Sequence, residues 1–136
     1  MLRNSKGFTL IEFMIVFVIL AILAAIAIPN FISMQDRARE GMVKSNMHTL
    51  QLAVEDFAAQ HDGVYPTALD LENVIALMPQ GQVPNNPFHD YLSHITWCGT
   101  ASDLGDLGYE VVGLNMYVIT GYGAKGLLPV TLKNYD

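Results

Sequence analysis

The chain has 136 residues, of which 51% are apolar and 15% charged, with a formal net charge of −6. That length holds one domain, or one domain with an appendage. The composition excludes a disordered chain, a coiled-coil rod and a polybasic arm, so no nucleic-acid partner is expected. The apolar surplus is local: residues 1–29 hold 21 apolar residues, whereas residues 30–136 hold 49, an ordinary share for a globular domain.

Phe13 to Ile28 is an unbroken run of sixteen apolar residues. Extended back to Phe8, the stretch makes a helix of about 32 Å, which matches a hydrocarbon core of about 30 Å. Arg3 and Lys6 precede it and the next basic residue is Arg37. Positive charge on that side places the N-terminus in the cytoplasm and residues 30–136 outside. The segment reads as an anchor, a cleaved secretory signal, a buried core helix or an assembly helix. A small domain cannot enclose a helix that is apolar on every face. Ala25-Ile26-Ala27 suits a signal cleavage site, but Glu12 and the length of the run oppose that reading. A carboxylate near the end of a membrane helix costs about 1–3 kcal/mol, so Glu12 requires a partner. Thr9 is only weakly polar, so the partner is expected to be the headgroup layer or another chain.

Pro29 removes a backbone hydrogen bond and crowds the carbonyl four residues earlier, which predicts a kink or local melting just before it. The helix should nonetheless continue to about Gln60, roughly 80 Å in all. Val43, Met47, Leu50, Val54 and Phe57 recur at steps of 4, 3, 4 and 3, one apolar face over four turns. Asp36, Glu40, Lys44 and His48 lie opposite, so this half packs on the chain's own globular part. His61 to Pro66 ends the helix, with Gly63 suited to a left-handed cap and Pro66 preventing continuation. Thr67-Ala68-Leu69-Asp70 forms a capping box with Asp in place of Glu. Leu71, Val74, Ile75 and Met78 mark a short amphipathic helix that Pro79 stops. A turn-rich connector spans Gln80–Pro87. Strands are expected at Tyr91–Cys98, Gly108–Leu114, Met116–Gly121 and Leu127–Lys133, joined as antiparallel hairpins over the helix stripe. The fold class is therefore α+β: a long N-terminal helix, apolar then amphipathic, packed on a small antiparallel sheet.

Lys6-Gly7-Phe8-Thr9-Leu10-Ile11-Glu12, followed by an apolar run ending in Pro29, resembles the N-terminal signature of type IV pilins and type II secretion pseudopilins. The resemblance is strong over residues 1–60 and loose beyond. It implies a prepilin leader (1–7), a transmembrane and filament-core helix (8–29) and a globular pilin-like head (30–136). It also implies cleavage between Gly7 and Phe8 by a prepilin peptidase, methylation of the Phe8 amine, and pairing of Glu12 with the Phe8 ammonium of a neighbouring subunit. Two groups costly alone in lipid become tolerable together. Processing would leave 5 basic against 13 acidic side chains, a formal charge of −8. Many members carry a Gly midway along the apolar run where this chain has Ala21, which makes Pro29 the sole backbone breaker.

Pro84-Asn85-Asn86-Pro87-Phe88 and Tyr122-Gly123-Ala124-Lys125-Gly126 are similar to the C-terminal half of major pseudopilins, which hold calcium near those glycines. Lys125 occupies one such place here, and no acidic residue falls between Glu110 and Asp136. The remaining acidic candidates, Asp103 and Asp106, read as a solvated turn, since calcium takes 6–8 oxygen ligands. No cofactor is expected. Gly121 to Gly126 matches G-x-G-x-x-G, but a dinucleotide site needs a helix next, and Leu127-Leu128-Pro129-Val130-Thr131 is strand-like. His48, His61, His89 and His94 show no metal spacing. Cys98 has no second cysteine and reads as a small buried hydrophobe.

No enzyme activity is indicated. The leading reading is a structural subunit of a type IV pilus-type filament, assembled from the inner membrane with identical or homologous subunits by inner-membrane assembly machinery. Its place would be the inner membrane as precursor, then an extracellular pilus or a periplasmic pseudopilus. A major-pseudopilin-like subunit of type II secretion is the alternative. A membrane-anchored or secreted monomeric binding module is the reading from a different class.

Overall fold

Helix α1 runs from Leu10 to Gln60 and is unbroken in secondary structure across Pro29. The computed structural model describes residues 7–113 and 115–134; residues 1–6 of the expected leader, including Arg3 and Lys6, and the expected strand end at Leu114 lie outside the described residues. The chain divides into two compact units that meet in sequence between Gln35 and Asp36.

In the first unit nothing packs over the apolar helix among the described residues. Every Phe, Leu, Ile, Val and Met side chain from Phe8 to Met34 is at least 44% exposed. The second unit has the opposite character. Val43, Met47, Leu50, Val54 and Phe57 are all buried, as their 3–4 spacing requires. They share one core with Val74 and Met78 from the α2 region and with Leu107, Tyr109, Tyr117 and Ile119 from the sheet. The opposite stripe is less solvated than expected: Asp36, Glu40 and Lys44 are half-buried, and only His48 is exposed.

Two left-handed residues, Asp62 (φ 54°) and Gly63 (φ 81°), close α1. The Gly63 N–H donates to the Ala58 carbonyl at 2.9 Å, a Schellman-type bond that satisfies a carbonyl left over at the helix end. The expected capping box forms, with the Thr67 backbone N–H and hydroxyl donating to Asp70 Oδ2 at 2.9 and 2.8 Å. A 3-10 turn, Ala68–Asp70, leads into α2 (Leu71–Leu77), and Pro79 opens a further turn instead of prolonging it.

Five strands follow: β1 (Ile95–Trp97), β2 (Leu107–Gly113), β3 (Met116–Gly123), β4 (Gly126–Leu127) and β5 (Leu132–Lys133). Their order is β1-β2-β3-β4, with β5 also paired to β3. The β2–β3, β3–β4 and β3–β5 pairs are antiparallel, as hairpin signals required. The β1–β2 pair is parallel, so the sheet is mixed and not wholly antiparallel. The cause is the loop 98–106, which carries the chain back before β2 starts and so lets both strands run the same way. Tyr91–Cys98 yields only three strand residues because its first half is tied into a loop: Asn86 N–H donates to Tyr91 O and Ser93 N–H to Pro84 O, both at 2.8 Å. Leu127–Lys133 is split into β4 and β5 around Pro129, which has no N–H to give a ladder.

Trp97 stands edge-on to Tyr109, ring centroids 4.8 Å apart, with its indole Nε1 buried and without a hydrogen-bond partner among the described residues.

Candidate assembly site

Thr9 sits immediately before α1, and its carbonyl accepts the first helical bond, from Phe13 N–H at 3.2 Å. The Thr9 N–H and hydroxyl both donate to Glu12 Oε2, at 2.9 and 2.6 Å, while the Glu12 N–H reaches Thr9 Oγ1 at 3.3 Å. This is a capping box, in which two otherwise orphaned donors are satisfied reciprocally. It corrects the expectation that nothing in the segment can partner Glu12: Thr9 does so within the chain. The T-x-x-E spacing just before an apolar run was the available signal. Among the described residues the side-chain bonds to Glu12 fall on Oε2 alone, which leaves Oε1 open to a further donor. Phe8 is 70% exposed. A side chain added at Gly7 would meet nothing within 4 Å among the described residues, so none of these crowds the Gly7–Phe8 junction. By length and composition, α1 is apolar enough in its first part to cross a membrane.

The structure disposes differently of the other residues singled out. Asp106 is buried, and its Oδ1 accepts the His94 N–H at 3.0 Å, so this half of the acidic loop is an internal fastening and not a solvated turn. Asp103 remains exposed and accepts the Leu104 N–H at 2.7 Å. No three His, Cys, Asp or Glu side chains gather into a metal-holding group among the described residues. His61 bonds the Phe57 carbonyl at 2.8 Å and stacks on the Phe57 ring, while His89 stacks on Tyr91. Cys98 is exposed and not buried as expected. It takes the left-handed turn position (φ 63°) that follows β1, which points it out of the core.

The glycines of the G-x-G-x-x-G run serve packing. A Cβ at Gly121 would stand 2.7 Å from Met47 Sδ and 2.8 Å from Val43 Cγ1, and one at Gly123 would stand 2.9 Å from Glu40 Cγ. Their bareness lets β3 lie directly on α1.

A further polar cluster escaped sequence reasoning. Glu55 on α1 accepts the Tyr117 hydroxyl on Oε1 at 2.5 Å and the Tyr65 hydroxyl on Oε2 at 3.1 Å. Burial, and then the bond to Glu55, raise the Tyr117 pKa well above the usual tyrosine value. The carboxylate so ties helix, strand and following loop together through partners 10 and 62 residues away. No short-range spacing signals such a contact.

A family model described as the prokaryotic N-terminal methylation motif matches residues 2–28. The type IV major pilin protein PilA of Myxococcus xanthus is 43% identical over 77 residues, 57% of this chain and 33% of its own length. The type IV narrow pilus major component PilA5 of Thermus thermophilus is 36% identical over 100 residues, 74% of this chain and 73% of its own. The chain belongs to the type IV pilin and pseudopilin family. Within that family it is also similar to type II secretion system core protein G of Pseudomonas aeruginosa, 32% identical over 84 residues, 62% of this chain and 59% of the relative. The chain thus spans a third of the length of the Myxococcus pilin and about three fifths of the Pseudomonas pseudopilin. No solved structure matches it closely. The family motif covers the Gly7–Phe8 junction, Glu12 and the apolar part of α1.

Proposed function

We propose that the chain is a structural subunit of a type IV pilus-type helical filament and not an enzyme. The observation that carries this is the apolar face exposed all round the first unit, beginning at the Gly7–Phe8 junction and a capped Glu12. Such a surface demands cover, first from lipid and then from copies of itself. A prepilin peptidase cuts after Gly7 and the new Phe8 amine is methylated. The head lies outside the cytoplasm, and inner-membrane machinery extracts the helix into a bundle whose core it forms. Glu12, held by Thr9 through Oε2, offers Oε1 to the Phe8 ammonium of a neighbour, so the charge pair forms only when subunits meet. The role draws on no metal or cofactor.

Intact mass of the extracellular protein tests the reading. Loss of residues 1–7 with gain of one methyl supports it; retained Met1, or a start near Ile28, would assign an anchored or secreted monomeric module instead. The similarity to the Pseudomonas secretion protein supports a second reading, a pseudopilin. Deletion separates the two: loss of long surface fibres marks a pilin, loss of protein export without loss of fibres a pseudopilin.

A further inference from the structure

Charge in the head is zoned. Between Lys44 and Lys125 there are nine acidic residues and no Lys or Arg. Of the five head cations, Arg37, Arg39 and Lys44 lie within eight residues on α1. Lys125 joins them from the turn between β3 and β4: it follows Gly123 by two residues, and the Gly123 backbone lies against the Glu40 side chain. Arg39 is braced over the Phe88 ring, 5.6 Å from its centroid, while Arg37 and Lys125 are exposed. Asp36 and Glu40 share this stretch and, like Arg39 and Lys44, are half-buried, so Arg37 and Lys125 are the exposed charges of this zone. The far end of the same helix carries Asp56, the turn after it Asp62, and the cap and first turn of α2 Asp70 and Glu72. Asp62 and Asp70 line one shallow cavity of about 430 Å³ beside His61 and Tyr65.

Within one head these two zones are too far apart to neutralise each other; the acidic neighbour of the cationic end is the exposed Asp103, in a loop bonded to Tyr122. From Lys44 to Asp56 the helix rises about 18 Å, and from Arg37 to its end at Gln60 about 35 Å, against a screening length of about 8 Å at physiological salt. Two copies displaced along the helix direction can bring them together. We propose that the acidic end of one head docks on the cationic start of another, an electrostatic contact between copies of this chain. The inference rests on the filament reading above. A contact of one patch with a different patch repeats without closing, which is what an open helical array requires. It also relieves the repulsion that packed acidic heads would otherwise accumulate, and like-charge contacts at an interface are strongly disfavoured. Anionic lipid headgroups would account for the cations alone and leave the acidic zone without a role.

The test is a charge swap in the full-length chain in cells, read as chain in the sheared filament fraction relative to total chain. Arg37→Glu with Lys44→Glu should lower filament yield about tenfold or more, and so should Asp62→Lys with Glu72→Lys, by opposing like charges at the contact. The four changes combined should restore most of the yield. Unchanged melting of each solubilised variant shows that the head still folds. Failure of the combined variant to recover, or full yield from either pair alone, overturns the contact. Unrecovered yield together with lost retention on phosphatidylglycerol vesicles would assign Arg37 and Lys44 to lipid instead. Absence of filaments from the unaltered chain would defeat the filament reading itself, so the two failures are distinguishable.

Discussion

The two ends of α1 are one helix built to two opposite specifications. From Phe8 to Met34 every large apolar side chain is exposed, while from Val43 to Ala58 seven residues are buried in the chain's own core. The second half is finished when the head folds; the first can be finished only by something outside the chain. The lesson is that hydrophobicity alone does not mark a core. Periodicity does, because a stripe at 3–4 spacing implies a partner on one side, and an unbroken apolar run implies partners on all sides.

That contrast can be broken most completely at its first charged residue. Glu12→Ala should abolish filament formation yet leave the melting temperature of the detergent-solubilised head unchanged; a fall in both would mean that the halves are not independent. Next in size is a matched pair on the same helix. Leu50→Ala should destabilise the head by about 2–5 kcal/mol, the usual result of emptying a packed leucine site. Leu20→Ala should stay within about 0.5 kcal/mol, because Leu20 is 55% exposed and outside the packed core. Chemical denaturation of the two proteins side by side measures the difference. Gly121→Val should cost about 1–3 kcal/mol by forcing β3 off Val43 and Met47, and denaturant midpoints would show it.

The smallest effect concerns pH. Bonds from the Thr67 backbone and hydroxyl hold the Asp70 carboxyl below its ordinary 3.8. A depressed folded-state pKa contributes stability that is present above the unfolded value and lost as pH falls through the folded one. Wild type should therefore exceed Asp70→Asn in melting temperature near neutrality, and the gap should close below pH 3.8. A gap constant with pH would show that the charge of Asp70 is immaterial.

Much of this architecture was legible because its signals are local. The buried stripe, the Thr67–Asp70 box, the Pro79 stop and the β2–β3 hairpin each depend on residues within a few positions of one another. The Thr9–Glu12 box was equally local, but treating Thr9 as too weakly polar hid it. What could not be read is set by distance along the chain. The parallel β1–β2 pairing depends on the course of a nine-residue loop, and the Glu55 cluster joins residues far apart. Whether Gly121 and Gly123 mark a phosphate loop or a tight strand contact depends on Met47, Val43 and Glu40, some eighty residues earlier.

The sole tryptophan of the chain is Trp97, half-buried in the head with its ring edge-on to Tyr109. With only its indole nitrogen fully covered, it should shift its emission to longer wavelength when the head opens. Because the apolar half of α1 has no tryptophan, light scattering can follow the filament while fluorescence follows the fold. One unmodified sample would then report separately whether subunits have come apart and whether they have come undone.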